Sequence, residues 1–203
     1  MKRLEVPTII SLAIVCFSLI GYAACVAIFS PPVQFVCCGY QETDADNDFY
    51  ETATKRRIRK VWFDGQAPAG LAVDQFQRDI MQSLNELSLF TLTDFVKSAK
   101  KSGSQIRIVV STDATMWRYF PELKAENKVP AGAWAGGMIH FTARGQRFLN
   151  HPGFIQAVAK HEFGHQLGLK HVVDRTSIMN GDQSSYELNA RDKINFAARL
   201  GKR

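Results

Sequence analysis

Hydrophobic and polar positions follow three different rhythms along this chain. Ile9 to Phe29 is a run of 21 residues without a charge. As a helix it would be roughly 32 Å long, enough to cross the hydrocarbon core of a bilayer. Arg57 to Phe63 alternates through Ile58, Lys60, Val61, Trp62 and Phe63, which predicts a first strand. Val73 to Leu89 places Phe76, Ile80, Leu84 and Leu87 at helical spacing and predicts an amphipathic helix. Phe90 to Phe95 reads as a short strand. Gln105 to Ser111 reads as the best strand in the chain, because Ile106, Ile108, Val109 and Val110 suit a pleated, buried surface.

Further on, residues 112–131 read as irregular, with Pro121 and Pro130. Ala131 to Gly137 is small and flat enough for another backbone to approach closely, and Met138 to Thr142 is a strand. Pro152 to Gly168 fits a helix with Pro152 in its first turn and Gly168 as its stop. Leu188 to Leu200 is the last helix, with Asn189 as N-cap and Asp192 three residues later in a capping-box arrangement. The order strand, helix, strands, helix, helix suggests an α+β or α/β sandwich on a mixed sheet.

The chain therefore divides into residues 1–29, a polar stalk 30–54 that begins at Pro31-Pro32, and a folded domain 55–203. Lys2 and Arg3 precede the apolar span, and Glu42, Asp44, Asp46 and Asp48 follow it, which puts the N-terminus in the cytoplasm and the domain outside. The span's length favours an uncleaved, membrane-inserted signal anchor. Gly21-Tyr22-Ala23 supplies the small residues of a cleavage site, so secretion after signal cleavage is the alternative. Asp44 to Asp48 opens like a calcium loop, but Phe49 and Lys55 stand where glycine and glutamate are needed, so no calcium is expected there.

Composition narrows the picture further. With 46% apolar and 22% charged residues, the chain is neither disordered nor fibrous. The net charge of +6 is dispersed and accompanies no nucleic-acid motif, so no nucleic-acid partner is expected. Cys16, Cys25, Cys37 and Cys38 all precede the folded domain, which has neither a disulfide nor a thiolate metal site. Cys37 and Cys38 suit acylation, a disulfide or two idle thiols equally well.

The chemistry is concentrated in His161-Glu162-Phe163-Gly164-His165-Gln166-Leu167-Gly168-Leu169-Lys170-His171. Four residues of helix turn through about 400°, so His161 and His165 leave the same face one turn apart and can share a zinc ion. On a continuous helix His171 would lie about 15 Å from His161 along the axis. The helix must end, and Gly168 is where the chain can take a left-handed conformation and turn back. Three imidazoles then converge and leave a fourth position open, as catalytic zinc requires. Glu162, about 100° round the helix from His161, can reach a water on the metal and serve as general base. His140 and His151 are lone histidines and read as structural or surface residues.

This pattern, followed by Met179 in Thr176-Ser177-Ile178-Met179-Asn180, resembles the metzincin zinc metalloproteases, and its short spacing resembles their matrixin branch. The resemblance covers roughly residues 56–201. It implies a metzincin-like α+β catalytic domain with a twisted mixed sheet, a central zinc-binding helix and a C-terminal helix. It implies His161, His165 and His171 as ligands of one catalytic zinc, Glu162 as general base, and Met179 as the turn residue beneath the metal. It further implies a protein or peptide substrate added as a strand along a sheet edge, for which Gly132, Ala133, Trp134 and Ala135 are the candidates. Tyr186 would close the pocket lining that follows Met179.

The chain also departs from the pattern. Val172 replaces a usual serine, Asn180-Gly181 replaces aromatic-proline, and Thr142 follows His140-Phe141 where an acid is typical. No structural zinc or calcium is therefore expected, and no cysteine-switch motif is present. The expected activity is an extracytoplasmic zinc endopeptidase, monomeric and membrane-anchored. A silent binding module and a zinc amidase acting on cell-wall peptides are the alternatives.

Overall fold

The computed structural model describes residues 57–182 and 185–201; the apolar span 9–29, the stalk 30–54 and all four cysteines lie outside them. Among the described residues no helix is long and apolar enough to cross a membrane. The elements run β1 (Arg57–Phe63), α1 (Val73–Ser88), β2 (Thr93–Ser98), β3 (Ile106–Ser111), α2 (Asp113–Tyr119), α3 (Pro121–Ala125), β4 (Gly132–Ala135), β5 (Met138–Thr142), α4 (Gln146–Asn150), α5 (Phe154–Gln166) and α6 (Ala190–Gly201). The sheet has the order β2-β1-β3-β5-β4. Its first three pairings are parallel, and only β4 and β5 pair antiparallel, through the two-residue turn Gly136-Gly137 with φ of 55° and 74°. The architecture is the α+β mixed sheet expected of a metzincin-like domain.

Burial explains the arrangement. Phe76, Ile80, Leu84 and Leu87 form the apolar stripe of α1, all of them buried. Phe76 meets Phe141 of β5 edge-on at 5.1 Å, and Phe95 of β2 meets Phe163 of α5 at 5.5 Å. Helix α5 is buried on nearly every side, so it forms the centre of the domain rather than an outer layer.

Three expectations shift. The strand expected from Phe90 begins at Thr93, because the amides of Phe90 and Thr91 bond back to the Leu87 carbonyl and prolong the end of α1. The stretch read as irregular holds two short helices. Thr112 caps α2 by accepting from the Thr115 amide at 3.4 Å, and Pro121 opens α3 at its first position, where its missing N–H costs nothing. Helix α5 starts at Phe154, after Gly153 at φ 81°, so Pro152 precedes the first turn instead of lying in it.

Candidate metal centre

Helix α5 ends as its sequence requires. Gly168 has φ +85°, its amide donates to the His165 carbonyl at 2.9 Å, and the Leu169 amide donates to the Gly164 carbonyl at 3.0 Å. This pair of bonds is the Schellman motif, which satisfies the last carbonyls and reverses the chain. The reversal brings His171 back to the helix face that carries His161 and His165.

The three Nε2 atoms form a nearly equilateral triangle, with sides of 3.0 Å (His161–His165), 3.1 Å (His165–His171) and 3.2 Å (His161–His171). Ligands on a tetrahedral zinc at roughly 2.0–2.1 Å would stand about 3.3 Å apart, so the triangle fits. Tautomers support the same reading. His161 Nδ1 lies 2.7 Å from the Ile178 carbonyl and His165 Nδ1 lies 2.9 Å from the Leu169 carbonyl. A carbonyl only accepts, so each Nδ1 carries the proton and each Nε2 presents a lone pair. Lone pairs aimed at one point repel unless a cation stands between them. Burial, with His165 and His171 adding to it, holds His161 well below the usual imidazole range, which keeps it neutral as a ligand must be. Among the described residues these histidines are the one cluster of three or more groups able to hold a metal ion.

The loop after His171 supports the triangle from below. The Val172 amide donates to the Met179 carbonyl at 3.1 Å, and Asn180 Nδ2 donates to the Val172 carbonyl at 3.1 Å. Met179 is buried against Gly164 of α5. Asp192 of α6 ties the loop down. Its carboxylate accepts from Ser177 Oγ at 2.6 Å, the Ile178 amide at 2.8 Å and the Asn189 amide at 3.0 Å. Burial pushes the Asp192 carboxyl up from its usual range, and these hydrogen bonds pull against that shift. The Asp192 amide in turn donates to Asn189 Oδ1 at 2.8 Å, completing the expected capping box.

Glu162 is fully buried on the flank of α5 that faces β4. β4 is an edge strand. Gly132 and Ala133 are buried, while Trp134 is 40% exposed and Ala135 is half-buried. What approaches Gly132 closely is not another backbone but two side chains of helix α5, Val158 and Glu162. Tyr186 is placed on Phe154 with ring centroids 5.9 Å apart. Phe154 lies seven residues before His161, roughly 10 Å along the helix. The Tyr186 carbonyl accepts from Lys160 Nζ at 3.1 Å, and the same ammonium pairs with Glu86 Oε2 at 2.8 Å. His140 is buried between Ser111 Oγ at 2.8 Å and the Ala135 carbonyl at 3.1 Å, a structural histidine.

Sequence reasoning missed the loop-holding role of Asp192, visible beforehand only as a cap, and the role of Gly164. The second had a signal: an interior helix glycine costs roughly 1 kcal/mol against alanine and implies a packing reason.

The profile of the matrixin family matches residues 32–197. The crystal structure of myroilysin is similar in fold, with a TM-score of 0.51 at 14% identity over 85% of this chain and 96% of that one. Archaemetzincin from Methanopyrus kandleri superposes at a TM-score of 0.44 and 15% identity, covering 72% of this chain and 96% of its own. No curated protein matches the chain in sequence.

Proposed function

The chain belongs to the matrixin family of zinc metalloproteases, and from that premise we propose that it is a zinc-dependent endopeptidase acting outside the cytoplasm. The observation that carries this reading is the Nε2 triangle of His161, His165 and His171, with Glu162 on the next position of the same helix. His161, His165 and His171 would hold the zinc, which would supply Lewis-acid polarisation of the scissile carbonyl and make water more acidic.

The remaining work falls to the chain itself. The Glu162 carboxylate accepts the proton of the attacking water and passes it to the leaving amine, so no covalent intermediate is needed. The β4 edge offers backbone groups along which a peptide can lie as an added strand. Trp134, exposed on that strand, offers the peptide an aromatic surface. The apolar span 9–29 holds the domain at a membrane, with the N-terminus in the cytoplasm.

The test is digestion of a quenched peptide library by the full chain, with zinc content read on the same sample and Glu162→Gln as control. One zinc in both proteins, with internal cleavage by the parent alone, supports the reading. Zinc without cleavage in either protein favours a binding role. Release confined to cell-wall peptides favours an amidase.

A further inference from the structure

Gly132 opens the edge strand directly opposite the helix that carries the metal ligands. A Cβ built there would stand 2.4 Å from Val158 Cγ1, 3.0 Å from Glu162 Cγ and 3.2 Å from Glu162 Oε1. Gly132 is not among the glycines with positive φ, so its backbone would accept any residue and what it provides is space. A glycine with ordinary strand geometry weakens the strand it occupies, and it signals that something else must come close.

We propose that Gly132 is a positioning residue for the general base. Its bare Cα forms the slot in which the Glu162 carboxylate stands, and it sets the separation between that carboxylate and the edge strand. This rests on the peptidase reading above and deepens it. A peptide paired along β4 takes its register from that strand's backbone, and Glu162 takes its position from the same backbone. Base and substrate are thus referenced to one element, with no side chain between them to add slack. Precision of this kind matters because a displacement of about 1 Å can cost on the order of 100-fold in rate. Val158, one turn before Glu162, makes the tighter contact and complicates the obvious substitution, since Gly132→Ala alone pushes against helix packing as well as against Glu162.

The experiment therefore runs in a Val158→Ala background, which removes the 2.4 Å obstacle. Gly132→Ala in that background should keep one bound zinc and a KM within about twofold, while kcat falls about 10- to 100-fold. A stability cycle reads the contact without reference to turnover. Gly132→Ala should lower Tm when Glu162 is present. It should be neutral or raise Tm when Glu162 is also replaced by alanine, because a glycine at ordinary φ otherwise costs unfolded-state entropy. An unchanged kcat would overturn the proposal. So would a Tm loss of equal size with and without the Glu162 side chain, which would assign the slot to helix packing alone. A parent chain that binds zinc but cleaves nothing would overturn the peptidase reading and with it the catalytic consequence, while the stability cycle would still report the contact.

Discussion

Gly164 and Met179 occupy each other's space. A Cβ on Gly164 would lie 2.4 Å from Met179 Sδ and 3.0 Å from Met179 Cε, with Phe196 Cζ at 3.2 Å. The methionine of the loop fits under α5 only because that position has no side chain. Residue 178, its neighbour, supplies the carbonyl that orients His161. Packing and metal geometry thus share one contact.

Gly164→Ala tests that link. Helix propensity alone would favour alanine by about 1 kcal/mol. Overpacking costs about 1–3 kcal/mol, so a net loss of stability is expected. Zinc affinity should fall with it, because a displaced Met179 carries Ile178 away from His161. Adding Met179→Ala should return part of the affinity, measured by competition with a chromophoric chelator. Unchanged affinity in Gly164→Ala would separate the two roles.

Asp192→Ala removes an acceptor from Ser177 Oγ and from the amides of Ile178 and Asn189. Buried donors left unmet cost about 1–3 kcal/mol. Loss of a ligand's direct partner typically lowers metal affinity about 10- to 100-fold, and Asp192, one hydrogen bond further out beneath Ile178, should cost no more than about 10-fold. Denaturant titration and zinc titration of the same variant check both numbers. An Asp192→Ala protein with parental zinc affinity would show that the loop holds its shape without α6.

Zinc itself should stabilise the fold. At 100 times its Kd, a ligand bound only by the native state adds about 2.7 kcal/mol. The metal-free chain should melt several degrees lower than the loaded one, and His171→Ala should lose most of that gap. Equal melting temperatures with and without zinc would argue against the triangle as a native-state site.

His140 gives stability a pH dependence. Burial holds its imidazole below the usual range, against smaller opposing effects of the Ala135 carbonyl and Asp64. On acidification the unfolded chain therefore takes up the proton first, near pH 6.5. This contribution is fully present above about pH 6.5 and is lost as pH falls through the folded value. Tm should drop more steeply between pH 7 and 5 in the parent than in His140→Gln. His161, His165 and His171 are common to both proteins and cancel in the comparison. Parallel curves would place the acid sensitivity elsewhere.

Much of this was legible in the sequence because it depends on local periodicity. The helical repeat put His161 and His165 on one face, the stripe from Phe76 to Leu87 marked α1, and Gly168 marked the turn that returns His171. The Asn189–Asp192 cap was equally local. Backbone geometry over a few residues determines each of these. The two helices between Thr112 and Ala125 were hidden because short helices carry little periodic signal, and a proline at a first turn looks like a breaker until the turn is seen.

What only the tertiary structure decided are contacts between residues far apart in sequence. Gly132 against Glu162, Gly164 against Met179, Lys160 between Glu86 and Tyr186, and the Asp192 carboxylate beneath Ile178 are all of this kind. Their partners are chosen by how helix and loop settle on the sheet, not by spacing along the chain. Sequence by itself determined which atoms could bind a metal. The close packing of α5 against β4, the loop and α6 determined how firmly those atoms are held, because fixed ligand directions come from neighbours that leave the side chains no room to turn.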